Sequence, residues 1–271
     1  MASRETAAFQ PILQHFGVPR DGALIVHSAI ARLSRRGFRA EGIIEALLDY
    51  LRDGNLLMPT MTWRTVTPEH PNWDELETPS HTGVLTEIFR TRYATARSIH
   101  PTHSVAGFGP AARLLLSRHH VDTTPVSANS PYGLLRDYET YILMIGVGLE
   151  TATAIHLPEE TISVEFYVRP AETAWLYPCR DRLGTVHQVW ARRHWRLDRD
   201  FNQFGPALIA KGQLKIGTIE DCPYAIISQR DLLRDVFAAL IDNPRATLSV
   251  TAQQDMHSVP ATSAPGPDHL R

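Results

Sequence analysis

The sequence predicts an α/β fold with a mixed, partly parallel central sheet flanked by helices, followed by a smaller C-terminal α+β section. Residues 23–28 and 55–60 are short apolar runs, and residues 40–51 between them have the spacing of an amphipathic helix. Strand, helix and strand in this order are typical of a right-handed βαβ unit, which makes part of the sheet parallel. A third apolar run at 141–145, closed by Gly146 and Gly148, predicts a further buried strand.

The elements before that third run follow from their own patterns. Apolar residues recur with a helical period over residues 6–16, although Pro11 interrupts them, and predict a first helix. The first strand ends in the polar pair His27 and Ser28, which we expect at a functional edge of the sheet. The other predictions in this part are a helix over 83–92, a turn and short strand over 98–107, a helix over 109–119 and a polar loop over 122–131.

A long loop is predicted from Trp63 to Pro79. Loops of this length within a compact domain are usually binding loops or lids rather than simple connections. This one carries Asp74, Glu75 and Glu77, so we expect it to face a cation.

One histidine and two carboxylates follow the apolar run at 141–145. If a helix begins near Thr151 or Thr153, Glu159 and Glu160 share a face with His156. Ligands of open α/β sheets usually bind at the carboxyl ends of strands, where this cluster lies. The same pattern also fits a core histidine and a solvated charged face, so the residues alone leave both interpretations open.

The chain changes character after this helix. A strand with an exposed edge is predicted over 185–195, a helix over 201–210, short strands over 214–219 and 224–228, and a helix over 232–241. We expect residues 1–256 to form a single domain, in which about 170–256 have more α+β character. Residues 257–271 contain few apolar residues and are predicted to be a disordered tail.

Composition and charge favour a soluble enzyme that acts on small molecules. The chain is 43% hydrophobic and has a formal net charge of −2, without a basic block long enough to bind nucleic acid. Cys179 and Cys222 form neither a metal-ligand pattern nor a disulfide framework, which favours a reducing compartment. No window reaches ~18 apolar residues and the N-terminus lacks a secretory apolar region, so we predict a cytoplasmic protein.

Five segments, in order, carry a family resemblance. They are 26–28 (Val-His-Ser), 56–60 (Leu-Leu-Met-Pro-Thr), 78–90 (Thr-Pro-Ser-His-Thr-Gly, ending Phe-Arg), 97–104 (Arg-Ser-Ile-His-Pro-Thr-His-Ser) and 145–159 (Ile-Gly-Val-Gly, then Thr-Ala-Ile-His-Leu-Pro-Glu). Together they resemble the aminoglycoside N3-acetyltransferase family, antibiotic acetyltransferases that use acetyl coenzyme A and differ in fold from the GNAT superfamily. The resemblance covers residues 20–165, and the rest of the chain matches loosely.

The resemblance implies acetyl transfer from a thioester to an amine. An ammonium has no lone pair, so a base must remove a proton, and a histidine with an ordinary pKa near ~6.5 suits this task at neutral pH. His156 is the implied base. Glu159 or Glu160 would hold its other ring nitrogen and stabilise the imidazolium. Thr153 would bind the thioester oxygen or a water, although a threonine here also fits a helix cap.

The resemblance also implies acetyl coenzyme A (acetyl-CoA) as co-substrate, and no metal. The end of the first strand should open a helix or turn whose backbone N–H groups bind phosphate. Arg32 and Arg35 lie close by, but they equally fit solubilising surface charges. The residues expected to contact the cofactor are His27, Ser28, Ala29, Ile30, Arg32, Arg35 and Ser104.

An aminoglycoside is a polycation, so the resemblance implies local carboxylates around the acceptor. Asp74 matches the acidic position before the family's Thr-Pro-Ser segment, and Asp198 and Asp200 are further candidates. An amine held by charge in a solvent-accessible cleft should bind less tightly as salt is added. The expected partner is therefore a small amine, with no nucleic acid or membrane, and the protein itself a monomer or homodimer.

Two positions depart from the family pattern. Ala29 stands where the family has a second serine, which removes a hydroxyl available to the cofactor or to an oxyanion. Pro158 replaces a small residue between His156 and Glu159. Because proline removes a helical N–H, we expect it to kink the helix and disturb the geometry of this pair.

Three functions remain open from the sequence. The first is a coenzyme-A-dependent N-acyltransferase on an amino sugar or related amine, in resistance or biosynthesis. The second is a binding protein that keeps the cofactor groove but has lost catalysis through the changes at Ala29 and Pro158. The third is a metallohydrolase, suggested only by the 13 histidines. We expect His100 and His103 to be structural, because no third ligand spacing accompanies them.

Overall fold

The structure is a computed structural model that describes residues 2–252. The predicted tail at 257–271 lies outside the described residues, as does the end of the predicted domain. The helices are α1 Arg4–His15, α2 Ala31–Arg35, α3 Ala40–Tyr50, α4 Val84–Arg92, α5 Ala112–Leu116, α6 Pro131–Leu134, α7 His156–Tyr167, α8 Gly205–Ala210 and α9 Gln229–Asp242. The strands are β1 Ala23–Ser28, β2 Asn55–Pro59, β3 Trp73–Asp74, β4 Ala96–Arg97, β5 Val105–Phe108, β6 Thr140–Ile145, β7 Trp175–Arg180, β8 Val186–Ala191, β9 Lys215–Ile219 and β10 Cys222–Ser228.

The central sheet has seven strands in the order β4-β5-β2-β1-β6-β10-β9. β1 lies parallel to both β2 and β6, and the outer pairings are antiparallel. The predicted α/β class, with a mixed and partly parallel sheet, is confirmed. The parallel core follows from the helical connection α3 between β1 and β2, since parallel neighbours need a crossover.

Both faces of this sheet are buried. Side chains alternate along a strand, and in β1 the residues Ala23 and Ile25 pack into one apolar cluster while Leu24 and Val26 pack into another. This explains why β1 and β6 are continuous apolar runs in the sequence. Helices α1, α3 and α4 cover one face, and α7 and α9 contact each other on the other.

A second, three-stranded sheet has the order β3-β7-β8. Its side chains Trp73, Tyr177, Cys179 and Val189 form a small apolar cluster of their own. The two-residue strand β3 comes from the long loop predicted at 63–79, so this loop is partly ordered by pairing with β7.

Several predicted boundaries were wrong. The helix expected over 109–119 is reduced to Ala112–Leu116, and α7 begins at His156 itself, after two short 3₁₀ turns at Leu149–Thr151 and Thr153–Ile155. Strand β7 was not predicted. Among residues 2–252, no helix is both long and apolar enough to cross a membrane.

The kink expected at Pro158 is absent. Pro158 lies in the first turn of α7, where a backbone N–H has no intrahelical acceptor to lose. The helix is interrupted instead at Ser163, whose φ of −146° and ψ of 51° are not helical. The first turn, which carries His156 and Glu159, is therefore regular.

Candidate active site

The site lies where several strands meet one edge of the central sheet. Because β1, β2 and β6 are parallel, their carboxyl ends share this edge, and the antiparallel strand β5 begins there. Trp63 follows β2, His103 precedes β5, and His156 follows β6 through the two 3₁₀ turns. This is the position at which open α/β sheets bind ligands.

His156 and Glu159 form a hydrogen-bonded pair within the first turn of α7. The Nδ1 atom of His156 lies 2.6 Å from Oε2 of Glu159, and the His156 side chain remains 17% exposed whereas that of Glu159 is fully buried. Arg199 Nε donates to both Glu159 oxygens at 3.0 and 3.2 Å, and the Thr247 hydroxyl donates to Oε1 at 2.5 Å. The carboxylate is thus held from three directions.

This environment keeps Glu159 ionised. Burial alone would raise the pKa of Glu159, but the charge and hydrogen bond of His156, with Arg199 and Thr247, bring it below the ordinary value. An ionised Glu159 accepts a hydrogen bond, so Nδ1 of His156 carries the proton. Nε2 of His156 is then the nitrogen free to accept one.

Glu160 behaves in the opposite way. Its Oε1 lies 2.7 Å from Nε2 of His194 and accepts from the Val126 N–H at 2.8 Å. Burial raises the pKa of Glu160 to about 8, and burial likewise lowers the pKa of His194 well below its ordinary range. The pair is therefore a neutral acid donating to a neutral imidazole, not an ion pair.

The His194 ring stacks on that of His156, with centroids 4.4 Å apart and planes 32° from parallel. His103 meets His194 edge-on at 5.3 Å, and His100 continues the row toward His119. Burial lowers the pKa of His103 and of His100 well below the ordinary value. The rings of His100, His103 and His194 are therefore neutral. His156 differs from them because it is hydrogen-bonded to the ionised carboxylate of Glu159.

A cavity of about 750 Å³ opens over His156. Its lining is dominated by aromatic and basic side chains, which are Trp63, Trp175, Trp195, His103, His156, His194, Arg64, Arg169, Arg193, Arg196 and Arg199. Segment 193–195 reaches the cavity because its backbone pairs with the end of α7, where Arg169 N–H donates to Arg193 O and Trp195 N–H donates to Tyr167 O.

The residues expected to bind cofactor divide into two groups. His27 and Ser28 end β1 at the functional edge, and His27 Nε2 and Ser28 Oγ are buried atoms without a hydrogen-bond partner in the described part of the chain. Burial lowers the pKa of His27 to about 4, so the ring is neutral. Ala29 is exposed at the same edge, and its N–H donates to Ile145 O at 2.7 Å.

None of the seven expected cofactor residues is among the described residues that line the cavity, and the remaining four are engaged or placed elsewhere. The Ile30 side chain belongs to the apolar core, and Arg32 donates to Asp221 O at 3.2 Å. Arg35 is exposed on α2. Ser104 is fully buried, accepts from Arg97 Nε at 3.0 Å and donates to Thr60 O at 2.9 Å, so its hydroxyl is committed to protein partners.

Thr153 is likewise buried, with its hydroxyl 3.4 Å from Thr151 O and outside the cavity lining. The three expected acceptor carboxylates also lie outside it. Asp74 Oδ1 accepts from the N–H groups of Leu76 and Glu77 at 2.9 and 3.0 Å, which stabilises a turn. Asp198 accepts from the Ser249 hydroxyl at 2.6 Å, and Asp200 N–H donates to Thr247 O.

Sequence reasoning missed the residues that complete the site from distant segments. His194, Arg199 and Thr247 contact Glu159 or Glu160, yet they lie 34 to 88 positions away along the chain. No local pattern marks such contacts. Within residues 2–252, no group of three or more His, Cys, Asp or Glu side chains is arranged to hold a metal ion, which leaves the metallohydrolase alternative without a candidate centre there.

A family model described as aminoglycoside 3-N-acetyltransferase matches residues 25–240. Aminoglycoside N(3)-acetyltransferase III of Pseudomonas aeruginosa is 25% identical over 244 residues, covering 82% of this chain and 88% of that protein. The SPbeta prophage-derived aminoglycoside N(3')-acetyltransferase-like protein YokD of Bacillus subtilis is 22% identical over 235 residues, covering 76% and 81%.

Solved structures agree in fold. The apoenzyme of aminoglycoside acetyltransferase AAC(3)-IVa superposes with a TM-score of 0.70 at 25% identity, covering 90% of this chain and 91% of that one. The binary complex of AAC-IIIb with CoASH superposes with a TM-score of 0.72 at 21% identity, covering 88% and 96%. With the family model matching most of its length, this chain belongs to the aminoglycoside 3-N-acetyltransferase family, whose members are acyltransferases.

Proposed function

We propose that this protein transfers the acetyl group of acetyl-CoA to an amino group of an amino sugar or related amine, with His156 as general base. The observation that carries the proposal is the pair formed by His156, which lines the cavity, and the buried Glu159 behind it, with 2.6 Å between Nδ1 and Oε2. A base oriented by a buried carboxylate is the arrangement that amine deprotonation requires.

The chemical step follows from the tautomer of His156. Nε2 of His156 takes the proton of the attacking amine as its nitrogen forms a bond to the thioester carbonyl carbon. The carbon–sulfur bond then breaks, and the sulfur leaves as the thiol of coenzyme A after receiving a proton. Glu159 stabilises the imidazolium that exists between the two proton transfers, and Arg199 and Thr247 keep the carboxylate ionised and fixed.

His27 and Ser28 support binding of the cofactor at the same edge. Buried polar groups without partners are rare because leaving them unpaired costs roughly 1–3 kcal/mol each. Both His27 Nε2 and Ser28 Oγ are such atoms, and a bound molecule with complementary groups would satisfy them. A named relative with CoASH bound is consistent with a cofactor in this fold.

Replacing the base tests the proposal directly. His156→Ala should lower kcat by ~10² or more, the usual scale for losing general-base assistance, while acetyl-CoA binds as before. Turnover would be followed by release of coenzyme A thiol across a panel of amines, and cofactor binding by calorimetry. His187→Ala is the matched control, since His187 pairs with Asp181 at 2.8 Å but lies outside the cavity lining.

The outcome also separates the proposal from the alternative that catalysis has been lost. Wild-type turnover in His156→Ala would reject His156 as the base. If calorimetry shows binding of acetyl-CoA but no amine causes release of the coenzyme A thiol, the protein is a binding protein. Ala29→Ser, which restores the absent hydroxyl, would then be the first variant to test for recovery of activity. The regular first turn of α7 removes Pro158 as a reason to expect that result.

A further inference from the structure

The cavity beside His156 has a basic lining. Of the described residues that line it, five are arginines, Arg64, Arg169, Arg193, Arg196 and Arg199, and the only carboxylate is that of Glu69. Arg199 is neutralised by Glu159, with which it forms an ion pair at 3.0 Å. The other four arginines form no ion pair within residues 2–252, so positive charge dominates the space in front of the base.

Contacts within the protein position three of these four guanidinium groups. The guanidinium of Arg64 lies 4.9 Å above the ring of Trp63, and that of Arg169 lies 5.0 Å above the ring of Trp195. Arg193 donates to Trp63 O at 2.5 Å. A guanidinium stacked on an aromatic face keeps its in-plane N–H donors available, and these donors match the oxygens of phosphate and carboxylate groups.

A second observation points to a ligand at the same place. Arg199 uses Nε for Glu159 and Nη1 for Trp195 O, yet its Nη2 is a buried donor without a partner in the described part of the chain. Arg199 lines the cavity. An acceptor oxygen supplied by a bound molecule would satisfy this donor, and it would do so next to the base.

We propose that the acceptor is an amine that also bears an anionic group, a phosphate, phosphonate or carboxylate, which this arginine cluster binds while His156 receives the proton of the amine. The cluster is defined as Arg64, Arg169, Arg193, Arg196 and Arg199. A polycationic amine meets like charge on entering the cavity, and like charges in apposition disfavour binding. The expected acceptor carboxylates Asp74, Asp198 and Asp200 lie outside the lining and do not reverse this field.

Acetyl-CoA is a second source of phosphate. The phosphates of coenzyme A are separated from its thioester by the long pantetheine arm, whereas the arginine cluster shares one cavity with the base that must reach the reacting carbon. The anion recognised beside His156 is therefore assigned to the acceptor. A neighbouring hollow of about 420 Å³ shares Glu69 with this cavity and is also lined by Glu77, but neither His156 nor an arginine is among the described residues that line it.

This inference rests on the proposed function, and matched amines test it. Glucosamine and glucosamine 6-phosphate carry the same amine and differ by one phosphate, and kanamycin supplies a polycation. We expect kcat/KM from thiol release to be about tenfold or more higher for glucosamine 6-phosphate than for glucosamine, and kanamycin to be the poorest of the three. A kcat/KM for kanamycin above that of the phosphorylated amine overturns the inference.

Arginine variants test whether the cluster causes the preference for glucosamine 6-phosphate. Arg64→Gln with Arg196→Gln should abolish the preference for glucosamine 6-phosphate by raising its KM about tenfold, with the KM of acetyl-CoA unchanged. Arg52→Gln with Arg113→Gln is the control, since it removes the same charge from two exposed arginines outside the cavity. A rise confined to the KM of acetyl-CoA would assign the arginines to the cofactor and overturn the inference.

A binding measurement keeps the test independent of turnover. Three tryptophans line the cavity, so titration with inorganic phosphate should change the intrinsic fluorescence. The affinity for phosphate obtained from this titration should be about tenfold lower in the Arg64 and Arg196 double variant. If no amine is acetylated while phosphate still binds in this way, the proposed function fails and the anion site stands. If phosphate binding is absent or equal in the two double variants, the anion site is rejected whatever the turnover.

Discussion

Adjacent residues Glu159 and Glu160 show how burial and partners set opposite charge states. Glu159 has a cation and two hydrogen-bond donors around it, and its pKa lies below the ordinary value despite burial. Glu160 has the neutral ring of His194 and one backbone N–H, and burial raises its pKa to about 8. One carboxyl group can therefore orient the His156 ring while its neighbour serves as a neutral hydrogen-bond donor.

Glu160 should leave a mark on the pH dependence of stability. Its pKa is raised from 4.5 to about 8 on folding, so its contribution is fully present below pH 4.5 and is lost as the pH rises through 8. Relative to Glu160→Gln, the wild type should lose up to about 1.4 kcal/mol of unfolding free energy per pH unit within this window. Denaturant titrations at several pH values measure it.

Glu165→Gln provides the comparison for that experiment. Glu165 lies on the same helix, but its side chain is 72% exposed, so removing its charge should leave the pH profile close to wild type. A Glu160→Gln protein whose stability follows the wild-type curve between pH 5 and 8 would show that Glu160 is ionised in the folded state.

At this scale the sequence predicts what lies within one helical turn. His156 and Glu159 are three residues apart, and helix geometry alone places them together. Arg199, Thr247 and His194 approach the same turn only because the sheet and the segment after β8 fold over it. Their contacts depend on tertiary packing, and no spacing in the sequence encodes them.

Among the elements, the turn after β6 depends on Gly146. Its φ is +68°, and a Cβ atom there would lie 2.3 Å from the carbonyl oxygen of Ala29. Gly146→Ala should therefore destabilise the protein by more than the ~1 kcal/mol expected for an unfavourable φ alone, because the backbone at the end of β1 must also move. The free energy of unfolding in denaturant gives the measurement.

Gly17 is a matched control for this change. It has the same φ of +68°, but nothing lies within 4 Å of the position that its Cβ would take. Gly17→Ala isolates the conformational cost, and the difference between the two variants reports the clash at Ala29. Equal losses of stability in both would contradict a tight contact between the ends of β1 and β6.

Strand β7 was missed for a physical reason. Its sequence contains Pro178, and a proline argues against a strand inside a sheet because it cannot donate to the ladder. In the structure β3 pairs only with Cys179 and Arg180, so at Pro178 the strand has β8 as its sole neighbour in the small sheet. The proline is tolerated at what is locally an edge, and this depends on the shortness of β3.

For the molecule as a whole, both cysteines are buried and unpaired. Burial raises the pKa of Cys179 to about 12 and also raises that of Cys222. Because the thiolate is the reactive form, iodoacetamide at pH 8 should label the native protein slowly, and denaturant should expose both thiols to rapid labelling. Mass spectrometry of the intact chain counts the adducts, and fast double labelling without denaturant would contradict this burial.

The layered α/β architecture was predictable because apolar runs of strand length, separated by segments with a helical period, indicate which elements form the layers of the fold. The same patterns do not indicate which side chains are in contact. The basic character of the cavity was not predictable. The carboxylates of the loop at 63–79 suggested the opposite sign, whereas the arginines that meet around His156 come from three separate segments.

The order in which the chain is synthesised determines when β6 gains its second neighbour in the sheet. Strand β10, residues 222–228, lies between β6 and the edge strand β9, and Thr247, which donates a hydrogen bond to Glu159, follows it in the chain. At ~5–20 residues per second, a ribosome needs roughly 4 to 17 s to pass from the end of β6 to the end of β10. During that interval the nascent chain carries β6 with one edge unpaired, which is a surface prone to pair with other chains. The contact between Thr247 and Glu159 can form only later, because Thr247 is synthesised after β10.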